Sequence, residues 1–266
     1  MQLHFIKASP CRNTTVFITD PTARAQYGLI AGQVMSPEYL AAEQAGFLTI
    51  PQHPESVLRL EMAGGEFCGN ATLALAALAV RQGRTDGRIF YVECSGAAEP
   101  LVCTVVKLPR NRWRARAEMP AGEDVHPLTL QVGGQSYAGG FVLLPGICHF
   151  VLSGSLPRSQ YAPLMAQLSA AVRAEAYGII PYEEMSAAHY RIVPYVYVPA
   201  AGSHVFEQAC GSGSLSLGLW LRYKTGLQYS EVAQPGGILT VETGKKNYIT
   251  AEVYFPCEGT LEAEES

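Results

Sequence analysis

Ten residues of this chain occur twice in related form. Glu66-Phe67-Cys68-Gly69-Asn70-Ala71-Thr72-Leu73-Ala74-Leu75 can be laid over Gln208-Ala209-Cys210-Gly211-Ser212-Gly213-Ser214-Leu215-Ser216-Leu217. Each run gives Cys-Gly, a small polar residue, a smaller residue, a hydroxyl residue and Leu, with another Leu two positions on. After each, the composition turns helical. One such match is weak. Two, about a domain length apart, predict duplicated units that each place a cysteine at the start of a helix.

The chain of 266 residues has room for one large domain or two modest ones, and either buries a real core. Its formal charge of −4, with no basic stripe, argues against a nucleic-acid partner. The most apolar stretch, Ala71 to Val80, is too short to span a membrane. Residues Met1 to Lys7 do not read as a signal peptide. Seven cysteines are too sparse for a disulfide scaffold, which predicts a cytoplasmic protein with free thiols.

Hydrophobic spacing predicts strands at Leu3–Ile6, Thr15–Thr19, Ala45–Ile50, Val57–Met62, Ile89–Cys94 and Leu101–Leu108, with a loop at Ala8–Asn13. Further strands are predicted at Leu128–Val132, Tyr137–Leu144, His149–Leu152, Tyr190–Val198, Ile238–Glu242 and Tyr248–Phe255. Helices are predicted at Ala23–Met35, Thr72–Gln82, Tyr161–Tyr177 and Ser214–Tyr223. Gly133-Gly134, Gly139-Gly140 and Gln234-Pro235-Gly236-Gly237 read as turns, and Arg110 to Arg116 as a solvated face. Pro120 to Pro127 reads as a linker, and the acidic end, Glu258 to Ser266, as frayed. Strands this numerous, with helices this widely spaced, predict an α+β fold of two lobes.

A cysteine at a helix start meets amide groups that lack intrahelical partners and favour negative charge. Such a thiol is expected to have a lowered pKa and to serve as a thiolate. Gly69 and Gly211 let a ligand approach the backbone, and Asn70 and Ser212 are placed either to cap the helix or to hold that ligand. Two such sulfurs suit one reaction well. One removes a proton from the carbon beside a carboxylate and the other returns a proton to the opposite face, so the configuration inverts. Cys94, Cys103 and Cys257 read as small buried residues. Cys68 and Cys210 have no C-x-x-C partner, so no metal site is expected.

These two signatures resemble those of the diaminopimelate epimerase family, the cofactor-independent two-cysteine racemases, and the similarity extends over nearly the whole chain. Asn13 falls where that family has a substrate-binding Asn. His149 matches the His of its Gly-Asn-Pro-His stretch, and Pro235-Gly236-Gly237 matches its late Pro-Gly-Gly. The resemblance implies two pseudo-symmetric lobes, each a curved, mainly antiparallel sheet around a central helix, with the active site in the cleft between them. It implies lobes at 1–119 and 120–252, with 253–266 returning to the first. It further implies no cofactor, an amino-acid substrate, a homodimer, and two sulfurs close enough to be oxidised to a disulfide. The departures concern the substrate. Ala71 and Leu73 replace a Gly and an Arg, Ile147-Cys148 replaces Asn-Pro, and Ala201 to Glu207 lacks the Arg that clamps a distal carboxylate. Glu43-Gln44-Ala45-Gly46-Phe47 and both signatures look instead like the histidine racemases of opine-type metallophore synthesis. That branch implies that Cys68 and Cys210 are catalytic. It gives Asn13, Glu43, Gly69, Asn70, His149, Gly211 and Ser212 to substrate binding, with Glu43 accepting from the substrate's imidazole. Diaminopimelate epimerisation, or racemisation of another amino acid on the same fold, is the alternative.

Overall fold

The computed structural model describes residues 1–122, 124–199 and 202–264. Glu123 of the expected linker, Ala201 of the stretch without Arg, and the last two residues of the acidic tail lie outside the described residues. The chain divides into two compact units, Met1–Glu118 with Thr250–Ser266, and Met119–Ile249. Among the described residues no helix is long and apolar enough to cross a membrane.

In the first unit, β1 (Gln2–Pro10) pairs antiparallel with β2 (Thr15–Ile18), and β2 pairs parallel with β3 (Gln44–Thr49). The series continues through β4 (Ser56–Met62, antiparallel), β5 (Phe90–Cys94, parallel), β6 (Leu101–Leu108, antiparallel) and β7 (Arg112–Met119, antiparallel). Helix α1 (Tyr27–Met35) joins β2 to β3, and α2 (Gly69–Arg81) joins β4 to β5. Every residue of α2 from Gly69 to Ala79 is buried. A helix buried all round, with only Asn70 and Thr72 polar in that stretch, needs a sheet wrapped about it, and its Ala-rich faces let the strands approach closely.

The second unit repeats the order of pairings. Strand β8 (Asp124–Val132) pairs antiparallel with β9 (Gln135–Leu144), and β9 pairs antiparallel with β10 (Ile147–Ser153). Strand β10 then pairs parallel with β11 (Ala176–Ser186), which pairs antiparallel with β12 (His189–Ile192). Strand β12 pairs parallel with β15 (Tyr229–Gln234), which pairs antiparallel with β16 (Gly237–Glu242). Helix α3 (Arg158–Ala171) joins β10 to β11. Helix α4 (Gly211–Thr225) precedes β15 and is buried from Gly213 to Leu221. A hairpin of β13 (Tyr195–Val198) and β14 (Ser203–Phe206) is added between β12 and α4. Strand β17 (Asn247–Glu262) follows β16 and pairs antiparallel with β1.

Several expectations need correction. The loop expected at Ala8–Asn13 is shorter, because β1 runs on to Pro10. The expected Tyr161–Tyr177 helix stops at Ala171, and β11 starts at Ala176. Strand β11 is antiparallel to β13 at residues 177–179 and to β12 from Tyr182 onward. Pro181 and Pro194 fall where β11 changes partner, a place where the sheet asks no amide donor of them. Those prolines hide β11 in the sequence and split the strand expected at Tyr190–Val198. The acidic tail is not frayed over Glu258–Glu262, since main-chain pairing with β1 continues to Gln2 opposite Glu262. Gly139 and Gly140 lie inside β9 rather than in a turn. The solvated face expected at Arg110–Arg116 stands: most of the stretch lies in β7, with Arg112 and Arg114 exposed and Trp113 and Ala115 turned inward. Cys257 is exposed, whereas Cys94 and Cys103 are buried.

Candidate active site

Both signature cysteines are helix N-caps, with extended backbones at φ −131° and −120°. Cys68 Sγ accepts the Ala71 amide at 3.3 Å, and Cys210 Sγ accepts the Gly213 amide at 3.3 Å. The Thr72 hydroxyl donates to the Cys68 carbonyl at 2.8 Å, and the Ser214 hydroxyl to the Cys210 carbonyl at 2.7 Å. The residue types shared by the two runs are thus those that build one cap twice. A sulfur takes the place of the usual side-chain oxygen. The first-turn amides, with Gly69 and Gly211 at their head, stay near each sulfur as anion donors.

Around the first cap the structure gathers four other side chains. Asn13, buried in the 11–14 loop, donates from Nδ2 to Glu43 Oε2 at 3.0 Å. Cys11 and Arg12 hold this turn at φ 48° and 61°. The Glu43 amide is bound by the Thr14 carbonyl at 3.0 Å. Burial raises the Glu43 carboxyl above its ordinary value, against the Thr14 hydrogen bond and the Lys7 charge. Next to it, Gln44 Oε1 accepts the Cys68 thiol at 2.8 Å and the Thr15 hydroxyl at 3.4 Å. Asn70 is buried in the first turn of α2.

The second cap has different supports. Gln234 Oε1 accepts the Cys210 amide at 2.7 Å, and its Nε2 donates to the Ser214 hydroxyl at 2.9 Å. Ser212 Oγ lies 3.4 Å from Cys210 Sγ and 3.1 Å from His149 Nε2. His149 is fully buried and reaches Ser212, not open space. Gln44 and Gln234 are site residues that the sequence did not single out. Cys210 also corrects the expected acidity. Burial, with the Glu207 carboxylate next in effect, pushes this thiol well above its ordinary value, and the amides do not reverse that. Burial likewise raises Cys94, Cys103 and Cys148, the last to about 12, so these three are inert thiols.

A cavity of about 230 Å³ in the first unit is lined by Arg24, Arg59, Glu61 and Glu93, and not by Cys68. Glu93 there accepts the Gln52 and His53 amides and Arg59, a closed ionic network that ties β4 to β5. Among the described residues no cluster of three or more His, Cys, Asp or Glu is placed to hold a metal ion.

His149 makes the fold acid-sensitive. Burial lowers its pKa to about 3 from the ordinary 6.5. Between those values the unfolded chain binds one more proton than the folded one. Stability is therefore expected to fall by about 1.4 kcal/mol per pH unit as the pH drops below 6.5. Urea unfolding at pH 6.5 and pH 5 checks this. The His149→Gln variant should lose about 2 kcal/mol less than the parent over that interval. Equal losses would show that the ring takes up its proton without unfolding.

Several solved structures share this fold. A probable proline racemase from Agrobacterium radiobacter K84 with bound carbonate superposes with a TM-score of 0.72 at 9% identity, over 99% of this chain and 93% of that one. A PhzF-family phenazine biosynthesis protein from Enterococcus faecalis gives 0.65 at 14% identity, over 98% and 100%. The architecture is thus that of the cofactor-independent isomerases of the PhzF and diaminopimelate epimerase kind, and the chain is an enzyme of the PLP-independent amino-acid racemase and epimerase class. A histidine racemase from Fusobacterium nucleatum subsp. nucleatum is 27% identical over 268 residues, covering 97% of each chain. Residues 2–263 match the family described as histidine racemase CntK N-terminal domain, and the chain belongs to that family.

Proposed function

We propose that this protein interconverts L- and D-histidine without a cofactor, with Cys68 and Cys210 as the two acid/base groups. The duplicated N-cap carries the reading. Two thiols, each bound to a first-turn amide, are what removal and return of an α-proton require. One sulfur as thiolate takes the proton, the negative charge passes to the carbon and its carboxylate, and the other thiol supplies a proton to the opposite face. Charge and atoms balance, and the pair ends in the reversed protonation state. Cys210, kept protonated by burial and by Glu207, enters as the acid.

The α-carboxylate is assigned to the amides that follow Gly69 and Gly211, where the helix starts favour an anion. Asn13 and Asn70 are assigned to the substrate's amino and carboxylate groups, and Glu43 to its imidazole. Support for Glu43 comes from its half-buried carboxylate, held in place by Asn13. Histidine as substrate is further supported by the activity named for the relative and the family. The repeated pairing order supports two pseudo-symmetric lobes, taken as 1–119 and 120–252 with 253–266 completing the first. By family resemblance we place the enzyme in the cytoplasm as a homodimer, supplying D-histidine for an opine-type metallophore.

The test is α-proton exchange in heavy water under reducing conditions, read by NMR, with chiral chromatography of the same samples. L-histidine is expected to lose its α-proton signal and yield D-histidine, while LL-diaminopimelate and L-proline stay unchanged. Turnover of diaminopimelate alone would return the enzyme to the alternative reading.

A further inference from the structure

His149 lies in β10, opposite Gly178 of β11. A side chain at Gly178 would overlap the imidazole, so the ring occupies the space that this glycine leaves free. Nδ1 is enclosed and has no hydrogen-bond partner among the described residues. Nε2 lies 3.1 Å from Ser212 Oγ. A proton on Nδ1 would be a buried donor without an acceptor, a rarer and costlier arrangement than an idle lone pair. The ring's proton is therefore on Nε2, which donates to Ser212. With a lone pair so engaged, the Ser212 hydroxyl directs its own hydrogen elsewhere. Cys210 Sγ, 3.4 Å away, is the acceptor next to it.

We propose that His149 is a positioning residue that holds the Ser212 hydroxyl as a one-way hydrogen-bond donor to the Cys210 sulfur, with Gly178 giving the ring its seat. This rests on the two-thiol reading above. When Cys210 has passed its proton to the substrate, the sulfur carries the negative charge and the fixed hydroxyl stabilises it. The low pKa of the buried ring is consistent, since a neutral imidazole keeps this single direction of donation. The first signature has Asn70 at the matching position, so this device belongs to the second cysteine alone.

The test is a double-mutant cycle on histidine exchange in heavy water. His149→Leu and Ser212→Ala are each expected to lower kcat about tenfold, the loss of one hydrogen bond to a charged group, with KM within about twofold. In the Ser212→Ala background, His149→Leu should add nothing. His149→Gln, whose amide can donate from near the Nε2 position, should recover most of the rate. A second readout needs no substrate. Alkylation of Cys210 by iodoacetamide, followed by peptide mass spectrometry, should slow in His149→Leu and Ser212→Ala alike, with Cys68 unaffected. Multiplicative losses in the double variant, a Gln variant as slow as the Leu variant, or unchanged Cys210 alkylation would each overturn the proposal. If His149→Leu does not fold, His149→Asn, too short to reach Ser212, replaces it with the same expectations. Full activity in Cys210→Ala would overturn the two-thiol reading instead.

Discussion

Cys68→Ala and Cys210→Ala are each expected to lose racemisation by about 10²–10⁴-fold, the usual worth of a positioned acid or base. Each should nevertheless still exchange the α-hydrogen of one enantiomer with solvent, and the two variants should retain opposite enantiomers. A lone thiol can take a proton from the face it meets and return a solvent-derived one to the same face. That washes in deuterium without inversion. L- and D-histidine tested separately in heavy water give four rates, and the crossed pattern is the signature of two bases. Unchanged racemisation in either variant, or retention of the same enantiomer by both, would sink the mechanism. The caps need their own control, because losing either sulfur strips an acceptor from the Ala71 or Gly213 amide, at a cost of about 1 kcal/mol. Serine restores the cap oxygen but not a thiol's acidity. Cys68→Ser and Cys210→Ser should therefore regain the lost stability and remain slow.

What the sequence disclosed was what is local. The Cys-Gly runs announce two helix starts because capping depends on neighbouring residues, and the Ala- and Leu-rich run from Thr72 announces a helix. The helix expected from Thr72 begins at Gly69 because the cap sets the start, while composition marks only the buried turns. Gln44 carried no signal of its own. Its position against Cys68 follows from the parallel register that sets Thr15 opposite Gln44. Gln234 likewise reaches the Cys210 amide from the end of β15, far along the chain. Strand β15, Tyr229–Gln234, alternates outward and buried positions, but polar Ser230 and Gln234 are among the buried ones, so no strand pattern stands out in the sequence. The acidity of Cys210 came out with the opposite sign because a helix-start argument counts amides and is blind to burial and to Glu207. The far end of the C-terminal strand, Glu258–Glu262, was hidden by its own charge. Backbone pairing with β1 holds it whatever its side chains, and Glu258 also meets Arg81 at 2.9 Å.

Gly140→Ala is expected to lower the unfolding temperature by about 6–12 °C, equivalent to roughly 3 kcal/mol in a protein of this size. Two adjacent glycines suggest a turn, yet Gly140 sits in β9 with Val151 of β10 on one side and Pro127 of β8 on the other. The reason for glycine is the indole of Trp220, a buried residue of α4 that lies flat over this position. A methyl group there would overlap three of the ring's carbons. The ring has little room to yield, since Tyr223 stacks on it at 5.5 Å and the strand is held from both edges. Relief requires either a tilt of α4, whose first residues form the Cys210 cap, or separation of β9 from its neighbours. The first route carries the strain to the candidate active site, so residual racemase activity at low temperature should fall along with stability. Pairing Gly140→Ala with Trp220→Leu separates the causes. Removing the indole should recover part of the alanine's cost, whereas additive losses would show that Gly140 is needed for the strand's own backbone and not for the ring.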